Sequence, residues 1–145
     1  MKALPHLLVG LALALGSVLL APAHARQARD RAAEGIDCTT AVSTMESDLC
    51  AADRAEDADE ALNAVYRQVR QQLRQQATDG SCSHCDSAEQ QLVAAQRAWI
   101  TLRDQDCAAV YAFNADGTSR NGARSHCLTI HAQDRTRQLR DFYEL

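Results

Sequence analysis

The chain has 145 residues, enough for one small domain, and carries 15 Lys and Arg against 19 Asp and Glu, a formal net charge of −4. That balance argues against nucleic acid as a partner, because phosphate recognition rests on clustered cations. It suits plain solubility, and equally a cationic protein partner drawn in by long-range attraction.

Residues 1–25 read as a cleaved leader. Lys2 gives a short positive start, Leu7–Leu20 is apolar, and Ala23-His24-Ala25 is an A-x-A cleavage site. The apolar run falls short of the roughly 20 residues that a bilayer crossing needs. The first cysteine is Cys38, well beyond the cleavage site, so a lipid anchor is not expected. The mature chain is expected in the periplasm or outside the cell, with no membrane anchor. It starts near Arg26 and keeps 14 Arg against 19 Asp and Glu, a net charge of −5.

Residues 26–36 are polar and alanine-rich without apolar periodicity, and read as a flexible tail ahead of a helical domain over 37–145. Ser43-x-x-Glu46 has capping-box spacing and predicts a short helix from Thr44 to about Cys50. Ala58, Leu62, Val65, Val69 and Leu73 recur at steps of three and four, predicting a helix over about 53–76. Asp79-Gly80 ends it as a turn. Ser87-x-x-Gln90 opens the next helix, continued by Leu92, Ala95, Trp99, Leu102, Val110 and Phe113. Asn114–Gly117 breaks that pattern, and helical periodicity resumes over 120–143 through Leu128, Leu139 and Phe142. Nothing reads as a strand. The fold class is all-α: a small disulfide-stapled antiparallel bundle of three main helices plus one short N-terminal helix.

Short connections make consecutive helices antiparallel neighbours. To within about one helical turn, that register sets Leu73 beside Leu92, Val69 beside Gln96, Tyr66 beside Trp99 and Asn63 beside Leu102–Arg103. The second turn is centred on Gly117, from which Cys107 and Cys127 are each ten residues away. Antiparallel helices bring them to one height, so a Cys107–Cys127 bridge follows. Cys38 and Cys50 on one unbroken helix would lie about 18 Å apart, too far for a disulfide. With the cap at Ser43, the segment before it can fold back and bridge Cys38 to Cys50.

Cys82-Ser83-His84-Cys85 remains, just before a helix start. A small loop disulfide is the leading reading. A thiol-redox pair and a metal site are the others. The setting lacks the βαβ context of a thioredoxin-like site, and Asp86 stands where haem attachment needs histidine. His84, His126 and His131 supply no second pair of ligands with zinc spacing, so no metal site is assigned.

Asp59, Asn63 and Tyr66 on one helix, and Gln96, Trp99 and Arg103 on the next, form a polar face beside the apolar stripe. Arg135 interrupts the apolar stripe of the last helix and is placed near Trp99, within reach of a cation–π contact. The face is either a polar network that fixes helix register or a recognition surface. No Ser or Cys nucleophile pairs with a histidine, and Asp104 and Asp106 read as ordinary helix surface charges. No catalytic residue is assigned.

These residues resemble the N-terminal domain of LprI-type lysozyme inhibitors, exported bacterial proteins. The pattern runs Cys38, Glu46, Cys50, Asp59-x-x-Leu62-Asn63-x-x-Tyr66, then Gln96-Arg97-x-Trp99 and Arg103-Asp104-x-x-Cys107, and ends on Cys127, Arg135 and Leu139. It spans residues 37–142. The family name reflects lysozyme inhibition by a lipid-anchored member with an additional C-terminal region. This chain matches only the helical domain, has no lipobox and adds the Cys82–Cys85 pair. The resemblance implies no cofactor, no enzymatic activity and, as partner, a lysozyme or another cationic envelope protein.

An inhibitor must block a cleft that holds two carboxylates, for which a protruding cation is the obvious device. Arg120 in the second turn is the first candidate and His84 in the first turn the second. The alternative is an envelope binding or adaptor module that uses the Tyr66/Trp99/Arg103 face. A thiol-redox protein acting through Cys82 and Cys85 is the weakest reading.

Overall fold

Ser43 starts the first helix with a reciprocal cap. Its Oγ accepts from the Glu46 N–H at 3.1 Å, while Glu46 Oε2 accepts from the Ser43 N–H at 2.9 Å. Bonds donated to the Glu46 carboxylate by the Ser43 N–H first, then the Ser43 hydroxyl and the Val42 N–H, hold its carboxyl below the ordinary value. In the computed structural model, which describes residues 35–145, α1 then runs unbroken over Thr44–Thr78. The short helix expected over 44–50 is therefore the first turns of α1. Nothing in Ala51-Ala52-Asp53 stops a helix, since alanine has the best helix propensity.

Gly80, at φ +76°, takes the left-handed backbone that closes the first turn. α2 follows over Cys85–Phe113 and α3 over Arg120–Tyr143. Among the described residues there is no strand, and no helix is long and apolar enough to cross a membrane. The expected leader and most of the expected tail lie outside the described residues.

Successive helices are antiparallel, so α1 and α3 run parallel, and these two share the most extensive contact. Small residues allow the approach. Ala132 is fully buried, Ala58 packs against the core, and a side chain at Gly122 would meet Asp48 Oδ1 at 3.0 Å. Asn121 donates to Asp48 across the same approach at 3.1 Å.

The core gathers Leu62, Val65, Val69 and Leu73 of α1, Cys85 and Leu92 of α2, and Ala132 and Leu139 of α3. It therefore sits towards the α1–α2 turn. Around the other turn, Cys50, Ala51 and Cys107 are the buried residues. That end is held by two disulfides instead, Cys38–Cys50 and Cys107–Cys127. Charge divides along the same axis. From Glu46 to Glu60, α1 carries seven carboxylates and one arginine; from Arg67 to Arg74 it carries three arginines and no carboxylate.

The apolar stripe of α1 is buried as its periodicity predicts, with Ala58 half-buried. The inward face of α2 is not the predicted one. Ala95, Leu102 and Phe113 are exposed, whereas Gln96 and Cys107 are buried. The true face steps through Leu92, Gln96, Trp99, Arg103 and Cys107, because partners on α1 and α3 satisfy its polar members. On α3, Phe142 is exposed and Thr136 is buried in its place. The Thr136 hydroxyl is accommodated by donating to its own helix, to Ala132 O at 2.8 Å.

Candidate functional site

The polar face divides into two clusters. In the first, Asp59 is the hub: Asn63 donates to Oδ2 at 2.8 Å from one turn further along α1, and Arg103 donates to Oδ1 at 3.0 Å from α2. Arg103 Nε also donates to Asp104 at 2.9 Å, and its guanidinium lies over the Trp99 ring, 5.2 Å from the centroid. A planar cation between two carboxylates and an indole has most of its bonding capacity used within the chain. In the second cluster, Arg135 Nε donates to Gln96 Oε1 at 3.1 Å and its Nη1 donates to Gln138 at 3.3 Å. Burial lowers the Arg135 pKa, and the phenols of Tyr143 and Tyr66 act in the opposite direction. The cation over Trp99 is thus Arg103 and not Arg135 as the sequence suggested. Gln96 lies deeper than Trp99 on α2 and captures Arg135 first.

Tyr66 packs against the core, and Arg70, one turn further along α1, lies over its ring, 5.5 Å from the centroid. Arg70 leads to a bridge the sequence reading missed. Arg70 Nε donates to Glu89 Oε1 at 2.6 Å, and Arg74 donates to the same oxygen at 2.8 Å. Arg70 and Arg74 flank the Val69/Leu73 stripe one turn apart, which was the available signal. The expected register placed Glu89 about a turn away from them.

Chiefly through the Arg70 hydrogen bond, the Glu89 carboxyl titrates below its ordinary value, with partial burial opposing and Arg74 adding. A carboxyl lowered on folding contributes stability above its unfolded pKa and loses it as pH falls through the folded one. The stability gap between wild type and Glu89→Gln is therefore widest near neutral pH and closes as pH drops below about 4.3. Urea midpoints at a series of pH values measure it, and a gap that does not change with pH would rule out this origin.

All three disulfides join the cysteines in the expected pairs, Cys82 with Cys85 in the first turn. Cys85, the first residue of α2, is buried, and Cys82 is half-buried against the core. Cys107, Cys127 and His131 bring ligand-type atoms within 4.8 Å of one another. The two sulfurs are bonded to each other, so no thiolate is left to hold a cation. His131 instead pairs with Asp106 at 3.3 Å across α2 and α3.

The two turn candidates for an inhibitory contact lie at opposite ends of the bundle, separated by the length of α2, roughly 40 Å at 1.5 Å per residue. His84 is exposed at the start of α2, with no side-chain cap bond, among Asp79, Gly80, Ser81 and Ser83. Arg120 opens α3. Its Nη1 donates to Ala115 O at 3.2 Å and its guanidinium lies 5.8 Å from the Tyr111 centroid. Beside it an open cleft of about 730 Å³ runs between the start of α1 and the second turn, lined by Met45, Asp48, Leu49, Asp116, Arg120 and Asn121.

Fold and surface define a small all-helical domain, stapled by disulfides, whose polar clusters are satisfied within the chain. The family model described as Lysozyme inhibitor LprI matches residues 37–139. An uncharacterized protein of Rhizobium meliloti (strain 1021) is 36% identical over 138 residues, covering 92% of this chain and 93% of its own length. The chain belongs to the LprI lysozyme inhibitor family. No solved structure matches it.

Proposed function

We propose that this protein is an exported lysozyme inhibitor that binds a cationic muramidase and occludes its substrate cleft without performing chemistry of its own. The match to the inhibitor family across almost all of the described helical domain carries this reading. The acidic balance supports it, since opposite net charge steers two proteins together. The leader over 1–25 would deliver the mature chain, with its helical domain over 37–145, to the periplasm or the exterior, where disulfides persist.

The polar face has a structural role in this reading. Arg103 bonds Asp59 between α1 and α2, Arg135 bonds Gln96 between α2 and α3, Asn63 and Trp99 complete the first cluster, and Trp99 is half-buried. Such networks set register, so the alternative adaptor function through Tyr66, Trp99 and Arg103 is the weaker one.

The test is a titration of oxidised mature protein (residues 26–145) against several lysozymes, following cell-wall lysis at low and high salt. Stoichiometric inhibition that weakens as salt screens the attraction is the expected result. Complete lysis at high micromolar protein, for every lysozyme, would return the assignment to an envelope binding module.

A further inference from the structure

We propose that the muramidase docks on the disulfide-tied end of the bundle, with Met45, Leu49 and Phe113 as the apolar contact and Arg120 as the cation that meets the two cleft carboxylates. This rests on the inhibitor reading above and adds to it the surface and the residues.

The first support is where the apolar surface lies. Val42, Met45, Leu49, Tyr111 and Phe113, five of the ten exposed large hydrophobic residues among those described, belong to this end. Met45 is 68% exposed and Phe113 90%. These side chains face solvent, while Cys107–Cys127 ties α2 to α3 and Cys38–Cys50 fastens the entry segment to α1. Exposed apolar groups clustered on a rigid frame are characteristic of a contact surface. The frame is already ordered, so binding costs little conformational entropy. At the opposite end the first turn offers only the small polar groups of Asp79, Gly80, Ser81 and Ser83, and two large apolar residues are exposed there, Phe142 and Leu145 at the end of α3.

The second support is charge. The acidic run of α1, together with Asp104, Asp106 and Asp116, gives this end most of the negative excess of the chain. Within that field, Arg120 sits at the cleft with no carboxylate partner among the described residues; its contacts are one carbonyl and one ring face. A cation without a carboxylate partner, set among acids, complements a basic protein whose substrate cleft is acidic. Arg120 can leave the Ala115 carbonyl without stranding a charge, because it is exposed.

The test measures inhibition and direct binding for oxidised wild type, Arg120→Ala, Arg120→Lys, the pair Met45→Ser with Phe113→Ser, and His84→Ala as the control at the far turn. All replaced side chains are exposed, so helical content by circular dichroism should match wild type. Arg120→Ala and the Met45/Phe113 pair are each expected to weaken binding about tenfold or more, as truncated anchors do. Arg120→Lys should retain part of the affinity, and His84→Ala all of it. If wild type inhibits and the first two variants inhibit equally well, the docking surface is wrong while the inhibitor reading stands. Loss at His84→Ala alone would move the surface to the other turn. If wild type binds no lysozyme in the panel, the inhibitor reading fails and this surface fails with it.

Discussion

Replacing Cys107 and Cys127 together by alanine is expected to cost about 3 kcal/mol, with the melting temperature falling by roughly 10–20 °C. The bridge closes a loop of sequence separation 20 and ties α2 to α3 at the end where few apolar side chains are buried. Cys107 is fully buried, so alanine is the fair replacement; serine would add the burial of a hydroxyl. The other two bridges set the scale. Cys38–Cys50, with separation 12, fastens the entry segment to α1 and crosses no helix pair. Cys82–Cys85, with separation 3, restrains very little chain. Urea denaturation of the three double-alanine variants should rank the losses in that order. A loss at Cys82/Cys85 as large as that at Cys107/Cys127 would contradict loop closure as the source of the stabilisation.

Leu139→Ala is expected to cost about 2–5 kcal/mol, the range for emptying a leucine site in a close-packed core. Leu139 has 0% exposure in the cluster that joins α3 to Leu62, Val65 and Val69 of α1. That cluster is the main core of a small domain, and domains of this size have only about 5–15 kcal/mol in total. Phe142→Ala, three residues on and 72% exposed, should stay within about 0.5 kcal/mol. The comparison separates burial from hydrophobicity, since phenylalanine is the larger residue. Equal losses at the two positions, read from urea midpoints at constant slope, would place the packing of α3 on its other face.

Much of this architecture was legible in the sequence. The α1 stripe repeats at helical spacing without interruption, and the cysteines flanking Gly117 are placed by hairpin geometry alone. The helix boundary at Cys50 was misplaced because a capping box marks a start and says nothing about how far the helix runs. The inward face of α2 was misread for another reason. Apolar periodicity favours Ala95, Leu102 and Phe113, and only the long-range partners Asp59 and Arg135 draw Arg103 and Gln96 inward. The bridge from Arg70 and Arg74 to Glu89 depends on register finer than one turn, which loop length does not determine. At the proposed docking end, Arg120 could be singled out as a turn cation. Its setting could not, because Met45 and Leu49 approach it only through the packing of α1 on α3.

The division of charge along α1 has a consequence for the approach to a partner. With carboxylates gathered towards one pole and arginines from Arg67 to Arg74 towards the other, the molecule is an electric dipole lying along its own long axis. In the field of a basic protein such a body experiences a torque before contact, and it rotates so that its acidic pole leads. For the proposed docking at that pole, this bias raises the share of encounters that arrive in the right orientation, so the arrangement acts on the association rate rather than on residence time.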